Sequence, residues 1–426
     1  MKILAILAVI SLLSVGGRSA DYTVFTIAGK AGEQGALDGP GATARFKMGT
    51  DVYARSQLTV DASGILYLAE SGNAIVRKIT IDGTNCSVVT IAGKAGITGS
   101  QDGVGGEARF SILTGIACDH KGNLFVTDFN ATVRKITPTA GSWTVTTIGG
   151  KLDTHEHADG PGDQARFVGP AGIIVDPATG ALYLSDVGDG TIRKMTPQGD
   201  IWVVSTIAGQ SAAGEGHVDG NGTEAQFAAP GGLAMDGAGN ILVADADNMS
   251  IRKLTPSAGG SIWEVSTVSW GMGDYFESLS CDSSGTIYVP GLLNGGISKV
   301  TPDGSTVTVL AGGTTKGSAD GVGSEAQFDE PSSVALSSSN GRFFVVDSKN
   351  DTIRLVYAPS IPPIQLTSPS YKAGVFSFRV TGTRAVIIEG SSDLVNWSPV
   401  VTNSLDTFSE PEPYNGSQRF FRAKVQ

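Results

Sequence analysis

Residues 172–197 read GIIVDPATGALYLSDVGDGTIRKMTP, and this stretch indicates the fold of most of the chain. It contains three short segments rich in β-branched and aromatic residues, GIIV, ALYLSD and TIRKMT, separated by turns that contain glycine, proline and aspartate. Alternating apolar residues between such turns are typical of antiparallel strands joined by hairpins. Since no long segment has helical periodicity, the sequence predicts an all-β protein.

The same pattern recurs along the chain, each time followed by a fourth segment that ends in TIAG or a variant of it. In the second repeat the predicted strands are GIACD (115–119), NLFVTD (123–128), TVRKIT (132–137) and WTVTTIG (143–149). The TIAG-like ends start at residues 26, 90, 147, 206, 267 and 309. A four-stranded unit that repeats at this spacing is typical of β-propeller blades.

The number of strands predicts a six-bladed β-propeller closed by the N-terminal strand. Five complete sets of strands begin near residues 57, 115, 172, 232 and 278, and a sixth set begins near Ser333 but lacks a fourth strand. Residues 21–29, DYTVFTIAG, form a lone strand of the fourth type. We expect this strand to complete blade six, because the ring then has no open sheet edge. The propeller is predicted over residues 21–358.

The repeats resemble those of the NHL-repeat family through the pattern GIAxD, xLYVxD and xxIRKIT, of which residues 172–197 are the clearest copy. The resemblance covers about residues 21–358, and the inserts of the form DGxGxxAxF are similar to those of exported bacterial NHL proteins. It implies the propeller fold. It implies no single function, because the family includes scaffolds, protein binders, RNA binders and a few enzymes.

Outside the repeats, both ends of the chain have a different composition. Residues 1–20 combine a positive charge, an apolar stretch and small residues, the pattern of a signal peptide cleaved after Ala20 or Gly17. We therefore expect an exported protein that is periplasmic, cell-surface or extracellular. Residues 359–370 are predicted as a Pro/Ser linker, and residues 371–426 as a small C-terminal β-sandwich-like module.

The charge of the chain argues against nucleic acid as a partner. The formal net charge is −11, and loss of the two basic residues in the predicted signal peptide changes it to −13. A surface of this sign repels phosphate groups. Beyond residue 20 no run of 18 apolar residues occurs, so no transmembrane segment is predicted. The three cysteines are too few for a disulfide framework, and we expect a monomer.

Five acids end the second strand of their repeats, and an arginine follows each of them in the third strand. Carboxylates gathered on one face of the ring can bind Ca²⁺ or a cationic ligand. Alternatively, each acid accepts hydrogen bonds within its own turn and pairs with the arginine of its repeat, which is a structural role. The acids are Glu70, Asp128, Asp186, Asp245 and Asp347, and the arginines are Arg77, Arg134, Arg193, Arg252 and Arg354.

A second set of five acids begins the inserts with an Asp-Gly pair. The alternating oxygen ligands and final glutamate of a full Ca²⁺ loop are missing, so the alternatives are a structural turn and a weak metal site. The alanine and phenylalanine later in each insert predict a plug between adjacent blades. His155 and His157, an HxH pair in one insert, are further metal candidates. The insert acids are Asp38, Asp102, Asp159, Asp219 and Asp320.

Blade five departs from the repeat. It lacks the insert, has Pro290 where the other blades have the acid, and has Ser298 where they have arginine. Its link reads WGMGDYFES (270–278), and a link shortened by about 15 to 20 residues predicts a notch in a loop-crowded face. The candidate binding residues are Trp270, Asp274, Tyr275 and Phe276, together with the five second-strand acids.

These observations predict a non-catalytic binding or scaffold module that holds a protein or carbohydrate partner through its loop-rich acidic face. No catalytic residue and no cofactor is assigned. The alternative is a Ca- or Zn-dependent hydrolase or lyase on a six-bladed propeller, lactonase-like or amidating-lyase-like, with Ca²⁺ as the cofactor. That alternative requires acids, Asn or His that converge at the mouth of the central channel.

Overall fold

The computed structural model describes residues 22–49, 55–82, 85–211, 216–260, 262–337 and 341–358 with their side chains, and six backbone strands between residues 365 and 425. The described part of residues 19–358 forms one compact unit, and the strands after residue 365 belong to a second. The predicted signal peptide, residues 1–20, lies outside the described residues. Within the described part, no helix has the length and hydropathy needed to cross a membrane.

Six antiparallel sheets form the blades of a propeller, as the sequence predicts. The first strands of neighbouring blades contact one another around the central axis, and the fourth strands lie at the rim. The chain begins with β1 (Thr23–Gly29), which belongs to blade six. Blade one contains β2 (Gly39–Pro40), β3 (Gln57–Val60), β4 (Leu66–Glu70), β5 (Ile75–Asp82) and β6 (Asn85–Gly93).

The next three blades repeat this arrangement. Blade two contains β7 (Gly103–Val104), β8 (Leu113–Cys118), β9 (Leu124–Asp128), β10 (Thr132–Thr139) and β11 (Ser142–Gly150). Blade three contains β12 (Gly160–Pro161), β13 (Pro170–Val175), β14 (Leu182–Asp186), β15 (Thr191–Gln198) and β16 (Ile201–Ala208). Blade four contains β17 (Gly220–Asn221), β18 (Pro230–Met235), β19 (Ile241–Asp245), β20 (Ser250–Pro256) and β21 (Trp263–Trp270).

The last two blades differ from the others in the strands that form them. Blade five contains only β22 (Ser280–Cys281), β23 (Ile287–Pro290), β24 (Gly296–Val300) and β25 (Val307–Gly312) among the described strands. Blade six contains β26 (Gly321–Val322), β27 (Pro331–Leu336), β28 (Arg342–Asp347) and β29 (Thr352–Tyr357), and β1 is its fourth strand. Single-turn 3₁₀ helices span Ser71–Asn73, Gly105–Glu107, Val187–Asp189, Gly222–Glu224, Gly323–Glu325 and Ser348–Asn350.

The inserts add a feature that the four-stranded prediction lacks. In five blades the two residues after the insert aspartate pair with the fourth strand as a short fifth strand, giving the order β2-β6-β5-β4-β3 in blade one. There Gly39 lies opposite Val88, and Pro40 lies opposite Ser87. The insert therefore covers part of the outer edge of the sheet, which otherwise presents unpaired backbone groups.

The ring closes through its N-terminal strand, as predicted. Strand β1 runs antiparallel to β29, with Thr23 opposite Tyr357 and Gly29 opposite Thr352. On its other side β1 pairs with β26. Asp320 accepts hydrogen bonds from the backbone N–H and the hydroxyl of Thr26, both at 2.9 Å. The first described strand is therefore held by residues about 300 positions later in the chain. Its pairing with β29 covers the sheet edge that β29 would otherwise expose.

The core lies between the blades. Each of six apolar clusters draws its side chains from two neighbouring blades, so there is one cluster for each blade junction. The phenylalanine of every insert is buried in such a cluster, in agreement with the predicted plug. These plugs are Phe46, Phe110, Phe167, Phe227 and Phe328.

The C-terminal unit contains two three-stranded antiparallel sheets, β30-β31-β34 and β33-β32-β35. Strand β30 begins at Gln365, within residues 359–370, where the sequence predicts a linker. Its register against β31 shifts between Thr367 and Ser370. Pro369 therefore lies at an irregular point, where a missing N–H does not interrupt the ladder. The strands are β30 (Gln365–Lys372), β31 (Val375–Thr381), β32 (Val386–Ser391), β33 (Ser398–Asn403), β34 (Thr407–Pro411) and β35 (Phe420–Val425).

Candidate functional site at blade five

The inserts lie on the same face of the propeller as the turns between second and third strands. Asn248, in such a turn, donates to the carbonyl of Gly216 in an insert at 2.9 Å. Asn350 donates to Gly317 in the same way at 2.8 Å. We call the side formed by the inserts and these turns the loop-rich face. Long loops carried by a rigid scaffold are a common location for binding sites.

The five second-strand acids lie inside the blades. None of them has exposed side-chain area, and neither does the arginine of the same repeat. In four blades the two side chains form an ion pair with N–O distances between 2.7 and 3.1 Å. These pairs are Glu70–Arg77, Asp186–Arg193, Asp245–Arg252 and Asp347–Arg354.

In blade two the second-strand acid and its arginine do not form an ion pair with each other among the described contacts, although the acid accepts from the end of the insert as in the other blades. Asp128 accepts hydrogen bonds from the backbone N–H groups of Ser111 and Ile112, both at 2.9 Å. Its arginine, Arg134, donates to the insert acid Asp102 at 2.5 Å. The acid therefore holds the end of the insert directly.

All five arginines bind the acids of the inserts, and in four blades the two acid sets therefore meet at one guanidinium group. In blade four Arg252 Nη1 lies 2.8 Å from Asp245 Oδ2, and Nη2 lies 2.7 Å from Asp219 Oδ1. The guanidinium carbon lies 5.0 Å from the ring centre of the plug Phe227. Asp219 also accepts a hydrogen bond from the hydroxyl of Thr267 at 2.9 Å.

We call this group of arginine, second-strand acid, insert acid and insert phenylalanine the arginine clamp. A buried guanidinium is tolerated only when its charge and its N–H groups have partners. In blade four both Nη groups of Arg252 have such partners from the insert and from the second strand, so the clamp fixes the insert against its blade, whereas the Nε groups of the five clamp arginines have no hydrogen-bond partner among the described residues. The clamped insert acids are Asp38, Asp102, Asp159, Asp219 and Asp320.

The clamp changes the interpretation of the acidic face. Glu70, Asp128, Asp186, Asp245 and Asp347 were candidates for contact with a partner, but all five are fully buried. A partner bound on the surface of the propeller does not reach them. Four of these carboxylates are paired inside the blade with the arginine of the adjacent strand, and Asp128 is held there by backbone N–H groups.

Burial raises the pKa values of all five second-strand acids. Loss of water raises the pKa of Glu70 to about 7, against the opposing effect of the Arg77 charge. Loss of water likewise raises the pKa of Asp128 and of Asp347 to about 6. These shifts come from the interior of a blade and not from a cleft, so they do not by themselves indicate a catalytic group.

The pKa values of two insert acids, Asp219 and Asp159, shift in the opposite direction. Partial burial acts to raise the pKa of Asp219, but hydrogen bonds from Arg252 and Thr267 outweigh it and lower the pKa below its ordinary value. The pKa of Asp159 is lowered for the same reasons. Asp219 and Asp159 therefore carry a negative charge at neutral pH.

The two histidines of the HxH pair have separate partners. His155 Nδ1 lies 2.7 Å from the carbonyl of Val168, whereas His157 Nδ1 lies 2.5 Å from Asp189 Oδ2. Among the side chains that the structure describes, no three His, Cys, Asp or Glu residues are arranged to hold a metal ion. His155 therefore bonds to the end of its own insert, whereas His157 links that insert to the turn between β14 and β15.

In blade five the register corrects one sequence-based assignment. Pro290 pairs with Ile297 in the third strand, as Ala69 pairs with Val76 in blade one. In both third strands the ladder shifts register directly after that residue, so the two positions correspond. Gly291, and not Pro290, therefore occupies the position of the acid.

The carboxylate of blade five comes from the link and not from the strand. In blade four the link residue Ala228 donates its N–H to Asp245 at 2.8 Å. In blade five the link residue Asp274 is the acceptor, and the turn residue Leu293 donates to it at 2.9 Å. A Cβ atom on Gly291 would lie 1.9 Å from Asp274 Oδ2, so the glycine makes room for this carboxylate. Burial raises the pKa of Asp274.

The aromatic candidates of the link have three different environments. Phe276 is fully buried among the side chains between blades four and five, so it is a core residue and not a surface contact. The hydroxyl of Tyr275 donates to Asp247 Oδ1 at 3.2 Å. Trp270 is 70% exposed and stacks on the imidazole of His217, with ring centres 4.4 Å apart and planes 27° apart.

These groups form one surface, which we call the blade-five patch. Trp270 pairs with Ser250 in the adjacent strand, next to the exposed Met249. Leu293, which is 63% exposed, follows in the turn held by Asp274. The patch consists of His217, Asp247, Met249, Trp270, Tyr275 and Leu293.

Sequence reasoning missed two parts of the loop-rich face. His217 was not connected with Trp270, because the two residues lie far apart in the chain. Arg55 is buried near the axis, with its Nη1 2.8 Å from Glu330 Oε2 and its Nε 3.4 Å from Glu277 Oε2. Arg55, Glu277 and Glu330 lie outside the repeat pattern, so the repeat does not predict their contacts.

The channel itself widens among the first strands of the six blades. These strands enclose a cavity of about 480 Å³. Its lining includes the two half-buried cysteines Cys118 and Cys281, whose pKa values burial raises, in the case of Cys281 to about 12. A thiol with a raised pKa is a poor nucleophile near neutral pH.

The family model of the teneurin NHL domain matches residues 88–258. The chloroplastic protein Suppressor of quenching 1 from Arabidopsis thaliana is 28% identical over 291 residues, which cover 62% of this chain and 26% of that protein. This chain therefore spans about a quarter of the length of that curated relative.

Two solved structures show the extent of the structural likeness. A gluconolactonase from Xanthomonas campestris has a TM-score of 0.51 and 11% identity, over 82% of this chain and 94% of that one. An auxiliary nutrient binding protein from Bacteroides ovatus has a TM-score of 0.41 and 15% identity, over 79% and 76%. At such identities the likeness concerns the fold alone. The segment that matches the teneurin NHL-domain model lies within the six-bladed propeller, so the similarity to NHL domains covers blades two and three, most of blade four and the last strand of blade one.

Proposed function

We propose that this protein is an exported, non-catalytic binding module that holds a carbohydrate or protein partner on the blade-five patch. The exposure of Trp270 carries the proposal. Of the described tryptophans, Trp143, Trp202 and Trp263 pack against an aromatic ring of the preceding blade, whereas Trp270 is 70% exposed. Contact between the apolar surface of an exposed indole and water is unfavourable, and a partner that covers the ring removes this contact.

The indole of Trp270 is also held in place. It stacks on His217 in the insert and belongs to β21, which is paired with β20. A ring that is already oriented loses little conformational entropy when a partner binds. Tryptophan and tyrosine at such positions contribute much of the affinity in many interfaces.

The surroundings of the indole supply polar groups. Tyr275, in the link that follows Trp270, donates to Asp247 in the turn between β19 and β20. Asp274 fixes the turn that carries Leu293. An apolar centre with oriented hydroxyl and carboxylate groups at its edge suits a sugar ring or a partner side chain with both apolar and polar surface.

The experiment compares three proteins on a glycan array and against extracts of the host cell surface. They are the wild type, Trp270→Ala, and Phe25→Ala as a control that removes a different exposed aromatic ring. We expect Trp270→Ala to weaken binding of the captured partner by about 30-fold or more, the usual effect of losing a central aromatic anchor. Phe25→Ala keeps wild-type affinity for it.

Two results contradict the proposal. One is a partner that binds the wild type and Trp270→Ala equally well, because its site then lies elsewhere. The other is no glycan or surface protein retained by the wild type above a denatured control.

A further inference from the structure

The seam between blade six and blade one contains a large cavity. Its volume is about 930 Å³, within the ~300 to 1,000 Å³ range of small-molecule sites. Strands β1 and β29 form one wall, and the hairpin of β5 and β6 forms the opposite wall. The lining includes Phe25, Cys86, Phe344, Leu355 and Tyr357.

At three other junctions, a tryptophan occupies the corresponding place. Trp143 of blade two lies edge-on to Tyr67 of blade one, with ring centres 5.9 Å apart. Trp202 meets Phe125 at 5.6 Å, and Trp263 meets Tyr183 at 5.5 Å. In all three pairs the ring planes cross at 68° to 71°. At each of these three junctions the fourth strand therefore places an indole between two blades.

The strand register identifies the corresponding residue at the seam. Trp143 lies opposite Pro138, two residues before the pair Val145–Ile136, and Cys86 stands in the same relation to Val88 and Ile79. The ring that would face the indole is present in blade six, where Phe344 precedes the second-strand acid by three residues, as Tyr67 does in blade one. A cysteine thus occupies the position of the tryptophan, and its aromatic partner remains.

The blade-six wall is also more apolar than its counterparts. Leu355 lies opposite Phe344 in the sheet, where Lys78 lies opposite Tyr67 in blade one. Tyr357 stacks on Phe25 with ring centres 6.0 Å apart and planes 15° apart. Thr137 and Thr146 stand at the positions of these two rings in blade two. The seam therefore combines an enlarged aromatic wall with a smaller residue opposite it.

We propose that the seam is a binding site for a small molecule that carries a planar aromatic ring of indole type, which inserts between Phe344 and Cys86. Edge-to-face contact with Phe344 reproduces the geometry of the three filled junctions. The rings of Phe25 and Tyr357 cover the part of the ligand near the opening. Nothing in this inference depends on the blade-five patch.

The test titrates the full chain with indole and follows binding by saturation-transfer NMR and calorimetry. We expect saturable binding to the wild type. Cys86→Trp places the protein's own indole in the cavity, so we expect loss of indole binding together with a higher melting temperature. Cys86→Ala is the matched control, since it keeps the cavity open and retains indole binding within about twofold.

A second variant protects the test against a folding failure of Cys86→Trp. Phe25→Ala removes an exposed ring at the opening, and we expect indole binding about tenfold weaker, the loss of one aromatic contact. Trp270→Ala leaves indole binding unchanged, which separates this site from the blade-five patch. The proposal is overturned if the wild type shows no saturable binding, or if a folded Cys86→Trp binds indole as well as the wild type does.

Discussion

Blade four and blade five are neighbours, and both fix the turn after the second strand with a carboxylate, but the carboxylate comes from opposite sides. In blade four Asp245 stands on the strand, accepts from the link and is paired with a buried arginine. In blade five Asp274 stands on the link and accepts from the turn, while Gly291 leaves space on the strand. The same hydrogen-bonding requirement is met without an arginine and without an insert.

The comparison has a consequence for the surface. An insert in the other blades brings a clamp acid and a buried phenylalanine, and it covers the outer part of the loop-rich face. Blade five keeps a buried phenylalanine, Phe276, in a much shorter link. The surface of blade five that an insert would cover is therefore exposed, and the indole of Trp270 lies on it.

The largest expected effect is the loss of a clamp arginine. Arg252→Met leaves the buried Asp245 without its ion-pair partner, so we expect a loss of about 3 to 5 kcal/mol in the free energy of unfolding. Ser298→Ala, at the corresponding position of blade five, should change it by no more than about 0.5 kcal/mol. Urea denaturation at neutral pH measures both. Equal effects of the two substitutions would show that the clamp does not stabilise blade four.

The next effect concerns the link of blade five. Phe276→Ala removes a fully buried ring, and we expect a loss of about 3 to 4 kcal/mol in the free energy of unfolding. Tyr275→Ala, one position earlier and partly exposed, should cost less than about 1.5 kcal/mol. Thermal and urea unfolding of the two variants compare them. A smaller loss for Phe276→Ala than for Tyr275→Ala would contradict the assignment of Phe276 to the core.

A third prediction tests the exchange of carboxylate positions. In Gly291→Ala the new methyl group meets Asp274 Oδ2, and we expect a loss of about 1 to 3 kcal/mol. In a protein that already carries Asp274→Ala, the same glycine substitution should cost less than half as much, because the clash is gone. A double-mutant cycle of unfolding free energies gives the coupling. Additive effects would mean that the two positions do not interact.

The smallest expected effect depends on pH. The folded-state pKa of Asp219 lies below its ordinary 3.8, so its stabilising contribution is complete well above pH 3.8 and is lost as the pH falls below 3.8 and through the folded-state pKa. We expect the wild type to lose stability between pH values of about 5 and 3, with Asp219→Asn losing less over that interval. Because the carboxylate is half exposed, the difference should stay below about 1 kcal/mol. Melting curves across this range measure it, and parallel curves for the two proteins would contradict it.

Much of the fold could be predicted from residue order alone. The alternation and the turn residues of each repeat indicate its strands, and the unmatched strand at residues 21–29 predicts the closure that β1 and β29 show. The shortened link of blade five was recognised as the exceptional place. The buried state of Glu70 and its four counterparts was one of two open alternatives, since the same pattern also fits a ring of exposed acids.

Other features have no signal in a single sequence. The exchange between Gly291 and Asp274 depends on register, and a shift of one residue makes Pro290 look like the corresponding position. The contact of Trp270 with His217 and that of Arg55 with Glu277 join residues from different blades. The significance of Cys86 becomes visible only when its place is compared with that of Trp143 across a blade junction.

The sequence by itself determined the repeating strand pattern, the number of blades and the place where the repeat fails, because strand and turn preferences act over a few neighbouring residues. The tertiary structure alone decided which carboxylates are buried, which indole is exposed and which blade junction is left unfilled. These outcomes depend on contacts between residues that lie tens to hundreds of positions apart, such as Arg252 with Asp219 and Thr26 with Asp320. Burial and pairing are properties of those contacts, since a charge or a ring acquires its environment only when the blades pack together.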